Sequence, residues 1–289
     1  MHPMRARGVT GELFSGKPAS ELTLGDAFQV AFGMLARPTF MLPILVISIV
    51  FGAITEAAFL PAITALRDPS ALASGRLLEQ ALGAFAALAA MGIITGLLAS
   101  LYGQIWVVAA SSGPLPNARS TFALAGRRAV GLLGTQLLVS LLAVTAIGIL
   151  VALIVATRSP AALAVALLLM IPYVWFAARL SMASWLAADG GSFVGSLRGS
   201  WQITKGHVLR IVGWTIATAM VFGLLTSIIG SLLSVLPLVG SGIAQALDFG
   251  LTYGALVVLF RRIQAESMPS AVAIDAELEP EPEPEPITG

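Results

Sequence analysis

No cysteine occurs in these 289 residues, which excludes a disulfide framework, a thiol nucleophile and a thiolate metal site. Histidine is nearly absent too. The two copies, His2 and His207, fall short of the three or four His, Cys or carboxylate ligands that zinc chemistry needs. His207 has no Gly-x-Ser-x-Gly elbow beside it to supply a serine nucleophile. No Walker loop is present, so nothing points to ATP hydrolysis. Charge is scarce: 11% of residues are Asp, Glu, Lys or Arg, against about a quarter in a soluble domain. No catalytic constellation, cofactor, metal site or nucleic-acid partner is therefore expected.

What the chain has in abundance is apolar length. It is 57% hydrophobic, with a mean hydropathy of +0.91. In water such a surface would aggregate; in lipid it is what the hydrocarbon requires. Six stretches, 40–63, 81–110, 129–156, 161–186, 208–233 and 243–260, reach the ~17–25 apolar residues a bilayer-crossing helix needs. They predict an all-α fold, an integral membrane bundle of six transmembrane helices. The bases sort onto alternate sides of these stretches. Arg5, Arg7, Lys17, Arg37, Arg119, Arg127, Arg128, Arg179, Arg198, Lys205, Arg210, Arg261 and Arg262 fall on one side, and only Arg67, Arg76 and Arg158 on the other. Thirteen against three orients the bundle by the positive-inside rule, with both termini cytoplasmic.

The sequence divides into three parts: a disordered cytoplasmic N-terminus (1–22), a six-helix membrane domain (23–263) and a disordered acidic tail (264–289). The N-terminus has no apolar core before Leu22, so the first span is expected to act as an uncleaved signal anchor. The formal net charge of +1 hides an asymmetry. Glu266, Asp275, Glu277, Glu279, Glu281, Glu283 and Glu285 all lie in the last 24 residues, leaving residues 1–263 at +8. A basic cytoplasmic face favours anionic headgroups, at ~1 kcal/mol per well-placed Lys or Arg. Alternating Glu and Pro in the tail predicts an extended, polyproline-II-like strand, either a solvated spacer or a docking tail for a basic protein partner.

Three segments precede outgoing spans with a shared pattern: a small or polar start, a phenylalanine and a basic end. They are 24–37, 117–128 and 191–207, with Phe28, Phe122 and Phe193. Each is expected to be an amphipathic interfacial segment on the cytoplasmic side. In the first, Leu24, Phe28, Phe32 and Leu35 form the apolar stripe, Thr23 is the expected N-cap, and Pro38 stops or bends the helix at Arg37.

Several polar residues sit in or near the spans. An ionisable group at the bilayer centre costs at least ~2.5 kcal/mol, which makes Glu56 and Asp248 intramembrane candidates. The alternative for both is a shallow position near the outer interface, with Pro61 marking the end of the first helix. Arg179, at the inner part of the fourth span after Tyr173-Val-Trp-Phe-Ala-Ala, is placed to snorkel to phosphates. Gln104, Gln136 and Gln245 are read as interhelical hydrogen-bonders, and glycines such as Gly92, Gly96, Gly223 and Gly230 as sites of close packing.

The stretch Arg179-Leu-Ser-Met-Ala-Ser-Trp-Leu-Ala-Ala-Asp-Gly-Gly-Ser-Phe-Val-Gly-Ser-Leu-Arg-Gly-Ser-Trp-Gln-Ile-Thr-Lys-Gly-His207 resembles the signature of the glycerophosphoryl diester phosphodiesterase membrane domain family and its uncharacterised bacterial relatives. Arg179, Asp189, Gly190, Ser196, Leu197, Ser200, Trp201, Thr204 and Gly206 stand at matching places. Ile203 replaces the usual leucine, and Asp189 a common glutamate. The resemblance implies a multi-pass protein of the bacterial inner or plasma membrane. In some relatives a soluble phosphodiesterase domain is fused to this region; its His/Glu/Asp metal cluster is missing here, so that activity is not expected.

Physically, the motif reads as a cytoplasmic re-entry element. Trp201 and Phe193 sit at headgroup depth, Ser200 and Thr204 bond backbone, Gly206 ends the segment, and Arg198, Lys205 and Arg210 meet lipid phosphates. Arg179, Asp189, Arg198, Ser200, Trp201, Thr204, Lys205, Gly206 and Arg210 form the candidate lipid- or partner-facing site. The function expected is that of a non-enzymatic, lipid-associated accessory or scaffold domain. The alternative is a small transporter or lipid-translocating permease, its helices broken at Pro43, Pro61, Pro172 and Pro237 around a polar cavity.

Overall fold

A computed structural model describes residues 12–14, 17–66, 94, 96–157, 160–233, 235–236 and 239–267, and among these there is helix and no strand. The longer helices are α1 (Leu24–Leu35), α2 (Pro38–Leu66), α3 (Gly96–Ser112), α4 (Ala118–Thr157), α5 (Pro160–Leu180), α6 (Ala183–Ala188), α7 (Phe193–Ile203), α8 (Val208–Leu233) and α9 (Gly240–Ser267). Two of them, α8 and α9, are long and apolar enough to cross a membrane, or three if α1 and 38–50, bent by 74° at Arg37-Pro38, count as one broken span. Apart from a turn at 181–182, helix is present in each expected stretch wherever residues are described. The Glu-Pro tail, the outer bases Arg67, Arg76 and Arg158, and Pro237 lie outside the described residues.

α9 is the spine of the described fold. Gly242, Ala246, Gly250 and Gly254 recur every fourth residue, putting a strip of small residues along one face. A Cβ on Gly254 would lie 2.4 Å from the Ala31 Cα, one on Gly250 2.7 Å from Leu35, and one on Gly242 2.7 Å from the Ile49 Cα. The chain from α1 into α2 therefore lies backbone-close along α9, advancing from its Ser267 end towards its Gly240 end.

That packing corrects the reading of 24–37. The buried residues of α1 are Asp26, Ala27, Val30, Ala31 and Met34, whereas Leu24 and Phe32 are exposed. Small residues win the contact because the glycine strip rewards close backbone approach more than bulk. Phe28 and Phe32 turn sideways onto Phe222 of α8, at 5.2 and 6.4 Å between ring centroids. The start of α1 follows the sequence. Thr23 accepts from the Asp26 N–H, and the Asp26 carboxylate accepts from the Thr23 N–H at 2.8 Å, a reciprocal capping box. Ahead of the spans, the Lys17 ammonium at 2.5 Å, helped by the Thr23 hydroxyl and N–H, holds the Asp26 carboxyl down to about 2.

Further expectations change. The 117–128 segment is no separate element: Asn117 accepts from the Ser120 N–H at 2.7 Å, and α4 then runs unbroken for 40 residues, about 60 Å at 1.5 Å per residue. Pro43, Pro61 and Pro172 lie within α2 and α5, and neither helix is divided at them. The fourth span, expected to reach 186, ends at Leu180; a turn at 181–182 leads into α6, whose Trp185 to Ala188 are buried. Segment 191–207 does form its own helix, α7, capped by Ser192 onto the Gly195 N–H. Gly190 and Gly206, at φ +107° and +84°, take the left-handed conformations that favour glycine on either side of it.

The strip on α9 gives a direct test. Gly254→Ala is expected to lower the stability of the detergent-solubilised protein by roughly 1–3 kcal/mol, the usual cost of overpacking. Gly213→Ala on α8, where a new Cβ meets nothing within 4 Å, is expected to be neutral in the same thermal-unfolding assay.

Candidate functional site

The motif residues gather at one end of the bundle, where α5 stops, α6 and α7 turn, α8 begins and α9 finishes. We call it the basic end. Two arginines are buried there, and the chain treats them differently.

Arg261 of α9 is 4% exposed and its guanidinium is fully engaged. Nε donates to the Ser111 hydroxyl at 2.9 Å, and Nη1 to Asp189 Oδ2 at 3.0 Å and Gln264 Oε1 at 2.7 Å. Nη2 donates to the Val108 carbonyl at 3.2 Å, the Ser112 hydroxyl at 2.5 Å and Asp189 Oδ1 at 3.4 Å. The forked, planar guanidinium suits this work: one side chain joins the end of α3, the α6–α7 turn and α9. Trp185 stacks on Phe260 beside it, 6.0 Å between centroids.

Around this knot other bases are also committed. Arg128 of α4 donates to the Ala188 carbonyl, satisfying one of the terminal carbonyls of α6. Arg262 donates to the Leu22 carbonyl at 2.6 Å and to Glu266 at 3.0 Å. Arg210 of α8 pairs with Glu266 as well. Phe193 lies over Gly134 of α4, where a Cβ would stand 3.1 Å from its ring.

Arg179, the last-turn base of α5, is 7% exposed and does not extend outward as a snorkelling side chain would. Its guanidinium carbon lies 4.5 Å from the Trp201 ring centroid and 5.5 Å from that of Trp175, two cation–π contacts on one side of the group. Trp201 meets Trp175 and Phe176 edge-on at 5.4 and 5.6 Å. Ser200 and Thr204 bond backbone as expected: both hydroxyls donate to the Arg179 carbonyl, at 2.7 and 3.3 Å, and Thr204 also to the Ser200 carbonyl at 2.6 Å. Gly206 supplies the left-handed stop before α8.

The candidate site thus splits. Arg179, Ser200, Trp201 and Thr204 come together as one cluster; Asp189 belongs to the Arg261 knot; Arg198 and Lys205 are exposed and take no partner among the described residues; Arg210 is held by Glu266. Sequence reasoning missed the role of Arg261, which it counted among the cytoplasmic bases. The signal available was scarcity: Asp189 is the lone acid between Glu79 and Asp248, and a lone acid among bases has a partner to find. Asp248 sits on the exposed side of α9, near Thr226 of α8, whose hydroxyl donates to the Phe222 carbonyl at 2.8 Å. Glu56 falls in the part of α2 whose side chains lie outside the described residues. Ser48 Oγ, Gln104 Oε1 and Gln136 Oε1 are buried without a hydrogen-bond partner, so the interhelical role expected of the two glutamines is not seen at those atoms. A cavity of about 170 Å³ beside α1 is lined by residues including Lys17, Asp26, Gln29 and Arg37; Asp248 and Arg179 do not line it. Among the described residues no three His, Asp or Glu side chains are grouped to hold a metal ion.

Comparison with family models, curated proteins and solved structures returns no match for this chain. Its functional reading therefore rests on its own geometry.

Removing one partner of a buried ion pair costs several kcal/mol, less when one side is wetted; Asp189 is 24% exposed. Asp189→Asn is expected to destabilise the solubilised protein by roughly 1–3 kcal/mol. Ser120→Ala, at an exposed hydrogen bond, is expected to stay within about 0.5 kcal/mol in the same denaturation experiment.

Proposed function

We propose that this chain is a non-enzymatic, lipid-associated membrane domain: six hydrocarbon-crossing helices, both termini cytoplasmic, and a basic cytoplasmic face that engages anionic headgroups. The observation that carries the membrane reading is α8. Only 11% of its most apolar window is buried inside the protein, and Leu209, Ile216, Met220, Leu224, Ile228 and Leu232 are between 54% and 88% exposed. A soluble monomer rarely exposes so continuous an apolar surface. Acyl chains are the natural cover for it, and the outward residues of α5, Val165, Leu168, Leu169 and Ile171, extend the same face. A 26-residue helix is about 39 Å long, enough for the ~30 Å core with tilt.

The headgroup reading rests on which bases are left over. Lys17, Arg128, Arg210, Arg261 and Arg262 are used internally. Arg37, Arg119, Arg127, Arg198 and Lys205 are exposed and their side chains take no partner among the described residues. They are the cations available to lipid phosphates, and Arg210 leaves the group first assigned that role. No family model matches this chain, so the resemblance of 179–207 adds no support, and no hydrolytic activity is proposed. The permease reading is weaker because Asp248 and Arg179 lie on different helices in dissimilar surroundings, one exposed and one buried against indoles.

Arg127, Arg198 and Lys205 replaced together by Gln are expected to reduce the anionic lipid that co-purifies with the protein by severalfold, at ~1 kcal/mol per cation near the surface. Quantifying lipid in the purified protein by mass spectrometry checks it. Unchanged anionic lipid would remove the headgroup reading.

A further inference from the structure

Among the described residues Arg179 is the buried cation whose hydrogen bonds are incomplete. A guanidinium has five N–H donors and stays protonated. Here Nη1 makes a long contact of 3.4 Å to the Thr204 hydroxyl, and Nε is buried with no partner. No described carboxylate pairs with it, because Asp189, the acid of its own motif, is taken by Arg261. The contrast with Arg261, whose three nitrogens all donate, is within one protein and one end of one bundle.

The two indoles lie on one side of the guanidinium, edge-on to each other with centroids 5.4 Å apart. Ring contacts supply cation–π attraction, but the N–H donors point outward in the plane of the group, so the rings satisfy none of them. What the donors lack is an anion with several oxygens, and a phosphate matches the fork bidentately. A phosphate at this place could be free or part of a lipid. The surroundings favour the lipid. On the same helix, one to two turns towards its start, Ile171, Val174, Trp175 and Phe176 are 69%, 37%, 47% and 40% exposed. Inorganic phosphate has no use for such a surface; acyl chains below a headgroup do.

We propose that Arg179, backed on one side by Trp175 and Trp201, holds the phosphate of one phospholipid whose chains run along the exposed face of α5. This rests on the membrane reading above but is separate from the diffuse rim of Arg127, Arg198 and Lys205. A rim attracts by charge number; the Arg179 site is a single seat with a defined fork. Ser200 and Thr204 are positioning residues, since their bonds to the Arg179 carbonyl fix the end of α5 against α7.

Native mass spectrometry of the full-length, delipidated protein in detergent, titrated with phosphatidylglycerol and separately with inorganic phosphate, tests it. One tightly held lipid equivalent is expected, with no comparable binding of inorganic phosphate. Arg179→Gln is expected to weaken that equivalent by at least tenfold, and Arg179→Lys, which keeps the charge but not the fork, by severalfold. Trp201→Leu is expected to weaken it too and covers the case in which Arg179→Gln does not fold. The rim triple variant is expected to keep the tight equivalent while losing weaker ones. Unaltered tight binding in Arg179→Lys and Trp201→Leu would overturn the proposal, as would equal affinity for inorganic phosphate. Loss of tight lipid in the rim variant alone would also overturn it, while leaving the rim itself standing.

Discussion

A guanidinium removed from water must find its acceptors where it lies, and at Arg261 that requirement organises one end of the molecule. The side chain is 4% exposed and reaches Ser111, Ser112 and the Val108 carbonyl at the end of α3, Asp189 in the α6–α7 turn, and Gln264 one turn along α9. These groups come from three separate parts of the chain. Helices in lipid gain little from apolar contact alone, since neighbouring chains are as apolar as leucine. Polar closure of this kind, with the glycine strip of α9, is what selects one arrangement of helices. The strip sets how closely α1 and α2 approach; the arginine sets where the turns on the other side must sit.

The basic end then has two layers with different duties. An inner layer of Arg128, Arg261, Arg262 and the Glu266 pairs stitches turns and helix ends together. An outer layer, Arg119, Arg127, Arg198 and Lys205, is exposed and open to ligands of opposite charge. Arg179 stands between the layers: buried like the first, unneutralised like the second. Charge counting treats all of them as one population, so the net excess of bases overstates what is available to a membrane surface. The proposed lipid association needs only the outer layer and Arg179.

The helical character of the chain was legible because apolar length is a composition signal that survives any error in detail. Thr23 as the cap of α1, the separate helix within 191–207 and the backbone bonds of Ser200 and Thr204 were also legible, because small polar residues beside Gly at helix ends have few other uses. The buried face of α1 was not. Leu24, Phe28, Phe32 and Leu35 make the stronger apolar stripe, and only the presence of Gly250 and Gly254 on a helix more than 200 residues away makes Ala27 and Ala31 the better surface. Likewise Arg261 reads as one more cytoplasmic base until Asp189 and the Ser111-Ser112 pair are brought beside it. Long-range partners decided both outcomes, and no local window contains them.

The six-span, cytoplasm-facing arrangement is open to one decisive measurement, made simple by the absence of cysteine. Single cysteines at Ala71, Ser159 and Val235, and at Arg127 and Gln202, can be probed in intact cells with a membrane-impermeant thiol reagent. Labelling of the first three without permeabilisation, and of the last two only after it, is the expected result. Labelling of Arg127→Cys or Gln202→Cys in sealed cells would contradict it and place the basic end on the wrong side of the membrane.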